Sequence, residues 1–160
     1  MRLTVEDNSL QVAKNFEKQV REQPQIVKTA LGRTAEFLMG IIKQRTSKGI
    51  GTDGRSFPSY TEAYKTFRKN AGRQVERRDL NFSGQMLSNI TQKSSPTEAI
   101  IYFANKFQNT KAYANQEILK NKNKGQKFFA IGQKEQTPII NKFMQEFKKL
   151  SIIKWAKEKI

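Results

Sequence analysis

The chain contains no cysteine and no histidine. The first absence removes disulfides, thiolate metal sites and thiol nucleophiles together. The second removes the commonest general base near neutral pH and the commonest nitrogen ligand for zinc or copper. Catalysis would have to rest on carboxylates, Lys, Tyr, Ser or Thr, and neither a metal nor a cofactor is expected. Acidic residues are scarce as well, 14 Asp and Glu against 30 Lys and Arg. Long apolar runs are missing too. The start, Met1 to Asp7, has no hydrophobic leader core, and no other stretch nears the about 20 residues that span a bilayer. The expectation is a soluble protein made in a cytoplasm, with no membrane partner.

What is present is basic charge. The formal net charge is +16 over 160 residues, a self-repulsion that a polyanion relieves through counterion release and an acidic partner protein relieves by pairing. A Lys-rich surface that merely stays solvated is the plainer reading. The length suits one domain, and a hydrophobic content of 36% supplies a core of modest size.

Hydrophobic spacing predicts the elements. Leu10, Ala13, Phe16 and Val20 follow Asn8 and Ser9, residues suited to capping, and predict a short first helix ended by Pro24. From Gln25 the stripe Val27, Leu31, Thr34, Leu38, Ile41 and Arg45 predicts a longer core helix. It stops in a glycine-rich loop from Ser47 to Pro58. A short helix capped by Ser59 and carrying Tyr60, Ala63, Tyr64 and Phe67 comes next, and the polar stretch from Gln74 to Ser95 has no clear pattern.

Two β-rich runs, Ala99 to Ala104 and Lys127 to Gly132, are expected to pair, with a polar loop or irregular helix between them. Thr137 and Pro138 mark a helix start, followed by the stripe Ile139, Ile140, Phe143, Met144, Phe147 and Leu150. The expected fold class is α+β, with long N-terminal and C-terminal helices packed on a small antiparallel sheet and a glycine-rich loop beside them. Residues 1–150 form one domain in this reading, and residues 151–160 a basic C-terminal tail.

Candidate chemistry is thin. Gly49 to Ser56 comes near the phosphate-binding pattern G-x-x-x-x-G-K-[ST], but Arg55 stands in place of Lys and Phe57-Pro58 follows where a helix should begin. Asp79 and Glu98 are a carboxylate pair of the kind a magnesium nuclease needs, though their spacing singles out neither. Glu146 and Lys148 fit a solvated helix face. No catalytic residue emerges, and the chain reads as a non-enzyme. The densest basic run is Lys65, Arg68, Lys69, Arg73, Arg77 and Arg78, interleaved with Tyr64 and Phe67. Such clustering suits phosphate contacts or an acidic neighbouring subunit equally. Lys120, Lys122, Lys124 and Lys127 read as a solvated loop.

Several segments in order carry a resemblance. A helix ending in Ile41-Ile42-Lys43-Gln44-Arg45 leads into Gly51-Thr52-Asp53-Gly54-Arg55-Ser56-Phe57-Pro58. Tyr60 to Lys69 follows, then Asp79-Leu80-Asn81-Phe82-Ser83-Gly84-Gln85-Met86-Leu87-Ser88-Asn89-Ile90. Ala112-Tyr113-Ala114 and the aromatic run Lys127 to Gly132 precede a terminal helix. From about residue 25 to 150 this order resembles the virion morphogenesis, or tail-completion, proteins of tailed bacteriophages. The chain departs from that pattern at Gln116, Glu117 and Ile118, where the family often has His and then Gly, and in the Lys-rich end after Leu150.

The resemblance implies a structural role in the virion neck. Copies would assemble as a homo-oligomeric ring on the head connector or the upper end of the tail, contacting portal-side and tail proteins around the DNA path, after synthesis in the host cytoplasm. It makes Gly49, Gly51, Asp53, Gly54, Phe57, Pro58 and Trp155 candidate subunit contacts. Lys65, Arg68, Lys69, Arg73, Arg77 and Arg78 become candidates to face DNA without reading its sequence. The alternative is a stand-alone basic nucleic-acid-binding protein.

Overall fold

The computed structural model describes residues 23–118 and 127–157, together with Leu10, Lys14, Glu17, Lys18 and Arg21. The side chains of Ile118 and of residues 153–157 are not among those described. Of the stripe that predicts the first helix, Ala13, Phe16 and Val20 therefore lie outside the described residues, as do Lys120, Lys122 and Lys124, while Leu10, Lys14, Glu17, Lys18 and Arg21 are helical. The architecture is α+β and rich in helix. Among the described residues it comprises α1 (Pro24–Ser47), α2 (Glu62–Asn70), α3 (Gln85–Ser88), β1 (Ile90–Ser94), β2 (Ala99–Phe103), α4 (Lys106–Tyr113) and α5 (Gln136–Lys157). A π turn at Ala114–Ile118 follows α4, and a 3-10 turn at Gln133–Glu135 precedes α5. No described helix is long and apolar enough to cross a membrane.

Helix α1 is the hub. Pro24 opens it with a preset φ and no N–H to leave unsatisfied. Its inner seam is Val27, Ala30, Thr34, Leu38 and Ile42, with Ala35 alongside. This is close to the predicted stripe, but Leu31 and Ile41 are only half-buried and Phe37 is 39% exposed. The N-terminal half of the seam meets Phe147 of α5, and Ile26, Leu31, Phe143 and Leu150 close round that contact. The C-terminal half packs with Met86, Leu87, Ile90, Phe103 and Phe128, so α1 joins α5 to the sheet. Ser94 Oγ lies 3.1 Å from where a Cβ on Gly32 would stand, so the small residue sets the closeness of α1 and β1.

The sheet differs from expectation in one strand. Ala99–Phe103 is a strand, but its antiparallel partner is Ile90–Ser94, with Ile90 opposite Phe103 and Ser94 opposite Ala99. Residues 127–132 form no strand. The hairpin wins because four intervening residues close it locally. Ser95 N donates to Glu98 O at 2.8 Å, and Ser95 Oγ accepts from the Thr97 and Glu98 amides. Phe128 instead plugs the core with no exposure, and the Phe128 and Phe129 amides donate to Gln116 Oε1 at 3.3 and 2.9 Å. That bonding takes the place of a sheet ladder.

A helix start also shifts. Thr61, not Ser59, precedes α2, and it makes no side-chain cap. The polar stretch after β2 is an irregular helix as far as it is described: α4, capped by Asn105 Oδ1, which accepts from the Phe107 amide at 2.8 Å and the Gln108 amide at 3.3 Å, passes into the π turn at Ala114–Ile118. Helix α5 runs on past Leu150 to Lys157, but its apolar stripe divides. Phe147 is buried and Ile139, Phe143 and Leu150 are half-buried, whereas Ile140 is 61% exposed and Met144 is also in water.

Candidate functional site

The glycine-rich segment after α1 is a closed turn. Ile50 N donates to Arg45 O and Gly49 N to Thr46 O, the bonding of a helix end that needs a left-handed residue, and Gly49 supplies it at φ 71°. Ile50 and Ser56 form a β-bridge, Gly51 N donates to Arg55 O, and Phe57 N donates to Gly49 O. Of the subunit-contact candidates, Gly49, Gly51 and Phe57 are buried and Pro58 half-buried, which leaves Asp53 and Gly54 exposed at the tip. Trp155 lies in α5, and its side chain is outside those described. No helix starts after Ser56, since α2 begins at Glu62, so the segment lacks the helix N-terminus on which phosphate cradling depends.

The basic run does not share one surface. Lys69, Arg73 and Arg77 are exposed, Lys65 is half-buried beside Glu62 at 2.7 Å, and Arg78 is half-buried. Arg68, by contrast, is 1% exposed and turned inward. Its Nε donates to Gln74 O at 2.8 Å, its guanidinium stands 4.6 Å from the Tyr60 ring centroid, and it pairs with Asp79 at 3.3 Å. Asp79 also accepts from the Tyr60 hydroxyl at 2.9 Å, the Asn81 amide at 2.9 Å and Gln74 Nε2 at 2.6 Å. A carboxylate so fully occupied is a structural hub, while Glu98 is exposed in the hairpin turn. Burial pushes the Tyr60 phenol up to about 12, so it stays protonated and keeps donating to Asp79.

Glu146 is also turned inward. The sequence places it on a solvated face, but it is buried and receives Arg33 at 2.9 Å and Lys142 at 2.7 Å. The two cations, Lys142 first, hold its carboxyl down at about 2. Arg45 is a further hidden charge. It pairs with Glu135 and donates to the Phe128 and Ala130 carbonyls, which ties the aromatic segment to the end of α1.

These arrangements frame one cleft, between α2, the segment 78–86 and α4. It encloses about 680 Å³, inside the range of roughly 300–1,000 Å³ usual for ligand sites. Tyr60, Tyr64, Leu80 and Met86 give it apolar surface, and Arg78 and Lys111 give it charge. Arg78 donates to Asn115 Oδ1 at 3.1 Å, and burial lowers its pKa. Gln108, 6% exposed, lines the cleft, and its buried Oε1 finds no donor among the described residues, an unmet need of about 1–3 kcal/mol.

Sequence reading names Arg78 and the tyrosines but misses Gln108, Lys111 and Asn115. The signal available for them is Asn105, whose cap sets the register of α4 and so brings Gln108, Lys111 and Asn115 to the cleft. No group of three or more acidic residues that would hold a metal occurs among the described residues. Comparison with family models, curated proteins and solved structures finds no match to this chain.

Proposed function

We propose that the chain is a structural virion protein of a phage neck, one that closes on copies of itself as a ring around the DNA path between head connector and tail. The family resemblance suggests the setting. In this reading the helices flanking the chain, the small sheet and the glycine-rich loop act together, the loop tip at Asp53 and Gly54 serving as a contact arm.

One observation carries the proposal. A small, strongly basic chain leaves large apolar side chains in water on separate elements: Phe107 and Tyr113 on α4, Ile140 and Met144 on α5. Exposed apolar side chains on two elements give the chain two candidate contact regions, and a ring needs two different ones on each subunit to meet head to tail. The charge fits a subunit that lines a DNA channel or faces acidic neighbours.

Sedimentation of the purified protein over a range of concentrations, with and without a short DNA duplex, tests this. The expected result is an oligomer of limited size whose mass does not depend on DNA. Exposed Lys69, Arg73 and Arg77 favour a second reading, a stand-alone nucleic-acid-binding protein. A protein that stays monomeric at every concentration and binds duplex with a steep salt dependence would establish that reading and remove the ring.

A further inference from the structure

The cleft between α2 and α4 has a selective lining. Among the described residues no Asp or Glu lines it, while Arg78 and Lys111 reach it from two different segments. An anionic occupant is therefore favoured over a cationic one. The aromatic rings beside it are already engaged. Tyr60 meets Tyr64 edge-on at 5.1 Å, and Tyr64, Phe67 and Phe82 stack in series at 5.8 and 5.4 Å. Arg68 covers Tyr60, and Arg73 stands 5.8 Å from the Phe82 centroid.

Rings used in this way leave little face for a stacking nucleobase, the main source of affinity for single-stranded nucleic acid. A duplex is far too wide for a recess of about 680 Å³. Half-buried Leu80 leaves aliphatic surface instead. A peptide brings apolar side chains together with side-chain carboxylates, whereas a phosphate backbone brings charge without apolar groups.

We propose that this cleft docks an extended acidic segment of a partner protein, with carboxylates on Lys111 and Arg78 and an apolar side chain against Leu80. The assignment stands on the cleft and not on ring formation, so failure of either leaves the other intact.

The test is an amide-shift NMR titration of the full chain with acetyl-Glu-Leu-Glu-Leu-Glu-amide. Expected are saturable shifts confined to residues 78–86 and 106–115, and affinity about ten-fold weaker for the Gln-for-Glu version of the peptide. Lys111 is exposed on α4, so Lys111→Glu keeps the fold while removing the binding, and Lys69→Glu, outside the cleft, retains it. Shifts spread over the basic surface, or binding indifferent to Lys111→Glu, would overturn the site. An oligothymidylate of matching length that displaces the peptide and shifts the same residues would reassign the cleft to single-stranded nucleic acid.

Discussion

Arg68 and Asp79 show how a charged residue in a basic run becomes part of the interior. The pair is buried, and Tyr60, Gln74 and Asn81 supply the remaining donors to the carboxylate. Removing one partner leaves the other charged and enclosed, so Arg68→Met or Asp79→Asn should each cost about 3–5 kcal/mol in urea unfolding. The double variant Arg68→Met with Asp79→Asn should cost much less than the sum of the two, because both act on one network. Additive losses would show that the two side chains do not stabilise each other. Glu146 provides the pH signature. Its carboxyl falls from the ordinary 4.5 to about 2 in the folded chain, so its contribution is present in full above about pH 4.5 and disappears as pH falls toward 2. Chemical denaturation across that window should show a steeper loss of stability for the native chain than for Glu146→Gln. Equal slopes would mean that Arg33 and Lys142 do not hold the carboxylate in solution.

At the scale of elements, two glycines hold the chain where side chains would not fit. Gly49 sits at φ 71°, and a Cβ there would stand 2.7 Å from Arg78 O. A Cβ on Gly132 would stand 2.6 Å from Thr52 O, at the point where the turn after α1 meets the segment leading to α5. Gly49→Ala should therefore lose roughly 1–3 kcal/mol from backbone strain alone, read as a lower thermal midpoint. Gly132→Ala should loosen the junction, read as faster proteolysis between Lys48 and Pro58.

Helices α1 and α5 are legible in the sequence because a 3.6-residue period survives over many turns. β1 is not, since Thr91, Gln92, Lys93 and Ser94 are polar and become a strand only through pairing with β2. Phe128 and Phe129 read as a strand because aromatic density looks alike whether it fills a sheet or plugs a core. The basic run is visible as residues, but its division into exposed Lys69, Arg73 and Arg77 and buried Arg68 depends on where Asp79 stands in space. The cleft lies further out of reach, because its walls come from segments distant in the chain, as the bond from Arg78 to Asn115, 37 residues on, illustrates.

For the whole molecule, the question is where an excess of 16 positive charges is neutralised. Lys69, Arg73 and Arg77 project into solvent, with Arg73 resting near the Phe82 ring and Arg77 Nε donating to Ser47 O at 3.2 Å. Partly anchored cations of this kind meet phosphates with less loss of side-chain freedom than free lysines do. If they face DNA, each paired phosphate releases a counterion, and the slope of log affinity against log salt should shrink by roughly 0.9 for every phosphate left unpaired. The triple variant Lys69→Gln, Arg73→Gln, Arg77→Gln should then bind duplex more weakly at low salt and with a slope shallower by up to three such increments. Oligomer mass should stay unchanged, because none of the three belongs to the exposed apolar sets on α4 and α5. If the slope is unaltered but the oligomer dissociates, the same three cations face acidic neighbours and not DNA, and the charge serves assembly itself.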